Sequence, residues 1–183
     1  MGLSKLYKNT LSANERSAWF GLLKRDPHEH KSQAGRLTIL GGNTGMLGAP
    51  FLAARTALFA GAGWVVVGLL ASNSPPFDPQ HPELMCFNSK LNVEDIKSHL
   101  SNSQTVCIGP GLGQDDHARE WLEFVLSLKV RLVLDADALN LIAKDHRLRS
   151  LLCERGDPCQ TVITPHPGEA ARLLQVDTQL ILN

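Results

Sequence analysis

His166 and Glu169 stand three residues apart in Thr164-Pro165-His166-Pro167-Gly168-Glu169, directly after the apolar run Thr161-Val162-Ile163. Two prolines restrict the turn that presents them, and an imidazole beside a carboxylate can contact a polar ligand or help to hold a cation. Catalytic zinc needs a third protein ligand, commonly in H-E-x-x-H spacing. None is evident nearby, so zinc is not expected. Glu169, close to the start of a helix, also has a purely structural reading as a complement to the helix dipole, whereas His166 has fewer structural reasons to be where it is.

A second acidic pair, Asp135 and Asp137, leaves the apolar run Arg131 to Leu134. Carboxylates emerging there can hold Mg2+ through water or accept hydrogen bonds from hydroxyls. Asp137 also fits as the cap of a helix starting at Ala138, which makes Asp135 the stronger functional candidate. Two glycine-rich corners complete the set, Gly41 to Pro50 and Gly109 to Gly113. A corner that leads from a strand into a helix offers backbone N–H groups and a positive dipole end to an anion. Gly42 and Asn43 are the expected anion-loop residues. The first corner lacks the Gly-Lys-Ser/Thr ending of a P-loop, and the second lacks the glycine spacing of a dinucleotide fingerprint. Either corner could equally be a tight turn that binds nothing.

The elements that must position these residues alternate. Strands are expected at Arg36 to Leu40, Trp64 to Leu70, Thr105 to Ile108, Arg131 to Leu134 and Thr161 to Ile163. Between them, helical patterns run over Phe51 to Ala60, with Pro50 at the first helical position, around Val93, Ile96 and Leu100, over Trp121 to Leu128, over Leu139 to Lys144, and from about Gly168. Ser12-Ala13-Asn14-Glu15 has the form of a capping box, so a leading helix is expected to about Lys24 with Trp19, Leu22 and Leu23 on its buried side, followed by a polar linker from Arg25 to Lys31. Ser72 to Pro82, with four prolines, reads as an irregular excursion. Such alternation predicts an α/β fold of three layers, α/β/α, with a mostly parallel sheet. Its corners then share the edge where ligands bind.

With 183 residues, 43% of them apolar, the chain is expected to form one domain with a full core. Eighteen basic residues balance eighteen acidic ones, and no basic run has the density of a nucleic-acid footprint. Neither nucleic acid nor an anionic membrane is an expected partner. The longest apolar stretch, Trp64 to Ala71, is too short to span a bilayer. Met1 to Lys8 has no apolar core of a secretory signal, and the cysteines at 86, 107, 153 and 159 form no C-x-x-C pair. A reduced, cytoplasmic setting is expected.

Taken in order, Gly41-Gly42, Gly48-Ala49-Pro50, Ala60-Gly61-Ala62-Gly63, Pro82-Glu83-Leu84-Met85, Gly109-Pro110-Gly111-Leu112-Gly113, Asp135-Ala136-Asp137-Ala138-Leu139-Asn140 and Thr164-Pro165-His166-Pro167-Gly168-Glu169 resemble the ADP- or ATP-dependent NAD(P)H-hydrate dehydratase family, over roughly 25 to 174. Each motif alone is weak; the ordered set is specific. The resemblance implies a ribokinase-like fold and a cofactor-repair activity, in which ADP or ATP with Mg2+ drives loss of water from the hydrated nicotinamide ring of NADHX or NADPHX. Phosphoryl transfer to the ring hydroxyl would create a leaving group, and elimination would follow. It further implies that Ala49, Gly113 and His166 face the hydrated cofactor, and Gly111 and Asp135 are expected beside them as substrate-binding residues. Glu169 would be the acidic member of an Asn-x-x-Glu element around Mg2+ and phosphate, with His166 in place of the Asn.

The family pattern continues with a lysine-glycine strand and a Gly-Thr-Gly-Asp or Gly-Ser-Gly-Asp helix start that supplies the catalytic aspartate. Neither occurs in this sequence. The expectation is a C-terminally truncated or split member, inactive alone, with the substrate half of the site and an uncovered apolar sheet edge that favours homo-oligomers or a complementing C-terminal chain. Two other readings stand beside it: another ribokinase-like small-molecule kinase, and a non-catalytic binding or assembly remnant.

Overall fold

The structure, a computed structural model, describes residues 34–156 and 160–182 together with Ser12, Asn14 and Ser17. The expected leading helix, its Trp19, Leu22 and Leu23, and the Arg25 to Lys31 linker otherwise lie outside the described residues. Among the described residues six strands, β1 (Arg36–Gly41), β2 (Trp64–Leu69), β3 (Met85–Asn88), β4 (Thr105–Ile108), β5 (Arg131–Leu134) and β6 (Thr161–Ile163), form one sheet in the order β3-β2-β1-β4-β5-β6. Every neighbouring pair is parallel. The helices are α1 (Gly48–Phe59), α2 (Val93–Asn102), α3 (Asp116–Ser127), α4 (Ala136–Lys144), α5 (His146–Glu154), α6 (Pro167–Leu174) and α7 (Thr178–Leu182). An α/β fold with helices on both faces is what the alternation predicts. The sheet is parallel throughout.

Strand runs such as Val65-Val66-Val67 carry apolar side chains to both faces, as a sheet covered on both sides requires. On one face, Leu40, Val106, Ile108, Leu132 and Leu134 pack with Ile96 and Leu100 of α2, Trp121, Leu122 and Val125 of α3, Leu139 and Ile142 of α4, and Leu148 of α5. On the other face, α1 lays Ala54 against Ile39, Val65, Val67 and Leu69. The row Ile39, Cys107, Val133 and Val162 crosses that second face in register. Its burial fades away from α1, from 1% exposure at Ile39 to 55% at Val162 on the β6 edge.

Because β1 is flanked by β2 on one side and β4 on the other, the chain order reverses there, and the crevice outside the carboxyl ends of β1 and β4 is where such sheets take ligands. The corner Gly41 to Pro50 follows β1 and the corner Gly109 to Gly113 follows β4. Both glycine corners therefore sit at the switch point.

Several elements differ from expectation. β3 arises from Met-Cys-Phe-Asn, which has no β-branched residue and no alternation to reveal it. Only Asp145 separates α5 from α4, because its carboxylate accepts from the N–H groups of Arg147 and Leu148 and caps a new helix. α1 begins at Gly48, so Pro50 is its third residue and not its first. α4 begins at Ala136, two residues before the predicted start. Beyond α5, the Arg155 guanidinium donates to the carbonyls of Leu126, Leu128 and Val130 and to the Thr161 hydroxyl, tying the end of α3 and the approach to β5 to the first residue of β6.

Candidate active site

The first two corners are joined backbone to backbone. Gly42 N–H donates to Pro110 O at 3.1 Å and Asn43 N–H to Gly111 O at 2.7 Å. A Cβ on Gly41 would collide with the Pro110 carbonyl, and one on Gly111, where φ is +59°, would lie 2.6 Å from Met46 O. Only glycine permits these approaches. The expected anion loop is corrected in this respect: the amides of Gly42 and Asn43 are already bonded within the protein. The Asn43 side chain acts structurally as well. Its Nδ2 donates to Asp115 Oδ2 at 2.8 Å and to Leu112 O at 3.3 Å, and its Oδ1 accepts from Thr44 N–H. Ala49, in the first turn of α1, is exposed beside Gly111, with 3.5 Å between its Cβ and a Cβ built on that glycine.

The second corner meets the third in the same manner. Gly109, at φ +132°, has no room for a Cβ against the Asp135 carbonyl, and Asp135 N–H donates to Ile108 O. Asp137 accepts from Gly113 N–H at 3.0 Å and from the Gln114 amide at 3.1 Å. Its expected role as a cap is thereby replaced: Asp137 lies inside the first turn of α4 and clamps the second glycine corner. Ala136 between the two aspartates has φ +46°. A non-glycine residue held in the left-handed region carries strain of about 1–2 kcal/mol, and such strain persists where the surroundings over-determine it.

The third corner meets the fourth through side chains. Thr164 Oγ1 donates to Asp135 Oδ1 at 2.7 Å, and Thr164 N–H continues the ladder to Leu134 O. Asp135 occupies the N-cap position of α4, but its side chain makes no bond to the N–H groups of that helix, which leaves the carboxylate directed to Thr164. His166 caps α6: Nδ1 accepts from Gly168 N–H at 3.0 Å and from Glu169 N–H at 3.3 Å. Glu169 reaches back, one oxygen accepting from His166 N–H at 3.0 Å and the other 3.1 Å from His166 Nε2. This is a capping box built on histidine. His166 thus has the structural role that its sequence context did not reveal, while its side chain remains 60% exposed on the rim.

Glu169 is 6% exposed and both of its oxygens are engaged by His166. As a direct metal ligand it does not fit without breaking the cap. No group of three or more His, Cys, Asp or Glu side chains comes together as a metal site among the described residues. Burial, opposed by nothing, pushes the thiol of Cys107 up to about 12, aided by the charge of Asp135, and burial is the main cause that raises Cys86 to about 11. Neither thiol is a nucleophile at neutral pH.

The corners after β1, β4, β5 and β6 therefore form one continuous rim, with Ala49, Gly111, Gly113, Asp135 and His166 distributed along it. A sequence profile described as NAD(P)H-hydrate dehydratase matches residues 37–181 of the chain. The chain belongs to the NAD(P)H-hydrate dehydratase family. It is 40% identical over 163 residues to the bifunctional NAD(P)H-hydrate repair enzyme of Escherichia coli, covering 89% of this chain and 29% of that protein. It is 32% identical to the ADP-dependent (S)-NAD(P)H-hydrate dehydratase of Listeria monocytogenes, covering 85% of this chain and 54% of that protein.

Among solved structures, a ribokinase-like superfamily protein from Enterococcus faecalis superposes with a TM-score of 0.73 at 27% identity, covering 85% of this chain and 54% of its own. The ADP/ATP-dependent NAD(P)H-hydrate dehydratase of Bacillus subtilis, co-crystallized with ATP/Mg2+, superposes with a TM-score of 0.64 at 28% identity, covering 85% and 53%. The chain spans about half the length of these dehydratases and 29% of the bifunctional enzyme. Family membership and the ribokinase-like fold agree with what the ordered motifs imply. Three features of the site escaped the sequence reading. The Thr164–Asp135 bond, the clamp at Asp137 and the strained Ala136 all depend on which corners become neighbours, and only the Asp-Ala-Asp pattern itself was visible beforehand.

Proposed function

We propose that this chain supplies the substrate side of a nucleotide-dependent NAD(P)H-hydrate dehydratase site, with Ala49, Gly111, Gly113, Asp135 and His166 facing the hydrated cofactor. One observation carries the reading: the four corners that bear these residues interlock along a single rim, which runs from the switch point between β1 and β4 to β6. In this reading the nucleotide transfers a phosphoryl group to the ring hydroxyl oxygen. The carbon–oxygen bond then breaks with phosphate leaving, the adjacent carbon gives up a proton, and the ring double bond re-forms. The family relatives named as ADP-dependent, and the one crystallized with ATP/Mg2+, support nucleotide and Mg2+ as co-reactants.

The residues of this chain orient the ring. Both nitrogens of His166 are engaged by the cap of α6, so the face and edge of its exposed imidazole are what it offers to a planar nicotinamide. The Asp135 carboxylate, fixed by Thr164, accepts a hydrogen bond from a hydroxyl. Glu169 acts through His166, as a positioning residue. A reduced, cytoplasmic setting belongs to the same reading, as does association with its own copy or a complementing chain at the β6 edge, where Val162 and Ile163 are 55% and 46% exposed; light scattering tests the association.

Calorimetric titration of the purified chain with NADH hydrate, alongside an assay for nucleotide-dependent loss of that hydrate, tests the proposal. Saturable hydrate binding without turnover by this chain alone is the expected outcome, since the sequence contains no Gly-Thr-Gly-Asp or Gly-Ser-Gly-Asp element. Absence of hydrate binding would overturn the site. Robust turnover would overturn the inactivity.

A further inference from the structure

We infer that Lys90, on the turn after β3, is a phosphate-recognising residue of the same rim, which neutralises the phosphates of the hydrated dinucleotide whose ring lies near Gly113, Asp135 and His166. The inference rests on the reading of the rim as a cofactor-hydrate site. Neighbouring strands are about 4.8 Å apart, so the rim from β3 to β6 spans five spacings, roughly 24 Å, and β3 is roughly 10 Å from β1. A dinucleotide with its ring over the β4–β6 corners extends toward the β1–β3 side, and its phosphates need a positive partner there. The amides of Gly42 and Asn43 are bonded to Pro110 and Gly111. Neutralisation therefore falls to a side chain.

Lys90 is fixed and close. Asn88 Oδ1 accepts from Lys90 N–H at 2.9 Å, while Asn88 Nδ2 donates to Ala71 O at 2.8 Å and to Ser72 O at 3.2 Å, which pins the turn after β3 to the loop after β2. That loop is itself tied to the first corner by the bond from Ala71 N–H to Gly42 O. The exposed ammonium of Lys90 rests 3.1 Å from Ser72 Oγ and forms no ion pair among the described residues. An ammonium and a hydroxyl side by side are the donors that a phosphate oxygen takes. The Asp115 carboxylate, bonded to Asn43, is held below the usual range first by Ala118 N–H and the Asn43 amide, with the charges of His117 and Lys90 adding to them, so Lys90 lies within electrostatic reach of the first two corners. Lys144 donates to Gln114 Oε1 and Arg172 to Asn140 Oδ1, which holds both beside the β4–β6 corners, the ring side of the rim, and not on the β1–β3 side where the phosphates fall.

The test is calorimetric titration of the full chain with NADH hydrate, which carries only the pyrophosphate, and with NADPH hydrate, which adds the 2′-phosphate. Lys90→Ala is expected to weaken binding by about three- to tenfold, the range between an exposed ion pair and a charge-assisted hydrogen bond. Lys90→Arg is expected to restore most of it. Lys129→Ala, which removes the same charge before β5 at the opposite end of the sheet, is expected to leave affinity unchanged. Equal losses for both hydrates assign Lys90 to the pyrophosphate, and a loss confined to NADPH hydrate assigns it to the 2′-phosphate. Unchanged affinity for both in Lys90→Ala, with the wild type binding, overturns the inference alone. A wild type that binds neither hydrate overturns the cofactor-repair reading and this inference with it.

Discussion

The joins between the first three corners and the join to the fourth are made of different material. Corners one, two and three meet through backbone, with Gly41 against the Pro110 carbonyl and Gly109 against the Asp135 carbonyl at distances that exclude any side chain. The fourth corner is fastened to the third mainly by the Thr164–Asp135 hydrogen bond and is shaped by the His166–Glu169 cap. Around it Val162, Ile163, Leu174 and Leu180 are exposed at 46–68%. Backbone joins fix position without adjustment, whereas side-chain joins leave a corner that substitution weakens in steps. The switch-point half of the rim is thus a rigid cradle, and the β6 half is a detachable wall.

The largest contrast comes from Gly109→Ala. A Cβ there has no space, and φ +132° is strained for any other residue, so a loss of roughly 4 kcal/mol or more is expected, a large share of the stability of an ordinary domain. Circular dichroism and soluble yield check it. A cooperative melt near that of the wild type would show that the cradle yields after all. On the wall, Glu169→Ala leaves the His166 N–H without its acceptor and opens a buried space, for an expected loss of about 2 kcal/mol. Thr164→Val, which removes one hydrogen bond at a largely exposed site, is expected to cost about 1 kcal/mol. Urea melts measure both. If Thr164→Val destabilises as much as Gly109→Ala, the distinction between cradle and wall is wrong.

The same contrast separates what was legible in the sequence from what was not. Glycines forced by close approach mark their own corners, and the strand bounds of Thr105–Ile108, Arg131–Leu134 and Thr161–Ile163 follow from short apolar runs next to turn residues. The positions of the corners were therefore readable. Partnerships were not, because Thr164 is 29 residues from Asp135 and Gly113 is 24 from Asp137. His166 misled for a physical reason: histidine is an uncommon N-cap, and nothing in Pro-His-Pro announces that Nδ1 will accept from Gly168 and Glu169. The strand β3, without β-branched residues, was invisible, and with it the position of Lys90 on the rim.

Ala136 sharpens the comparison with the opposite sign. Its φ of +46° is tolerated because Asp135 is bonded to Ile108 and Thr164 on one side and Asp137 to Gly113 on the other. Ala136→Gly relieves the strain but frees the unfolded chain, so the net gain is expected to be only about 0.5 kcal/mol. A thermal shift upward, with weaker hydrate binding, would show that the strain holds the two aspartates in place. A loss of stability would show that the helix start, and not the corner, governs this residue.

The smallest effect concerns the pin between corners one and two. Asp115 is held below the usual carboxylate range, first by Ala118 N–H and further by the Asn43 amide, against the opposing cost of its partial burial. Its folded value is lower than its unfolded one, so the stabilisation is complete above the unfolded value, near 4, and disappears as pH falls through the folded value. In Asp115→Asn that dependence should vanish. The melting temperatures of wild type and variant are expected to differ most above pH 5 and to converge toward pH 3. The change is modest because Asp115 is exposed and solvent screens it. Were the gap to persist unchanged at pH 3, the Asn43–Asp115 bond would not depend on charge, and the pinning of the two glycine corners would rest on their backbone contacts alone.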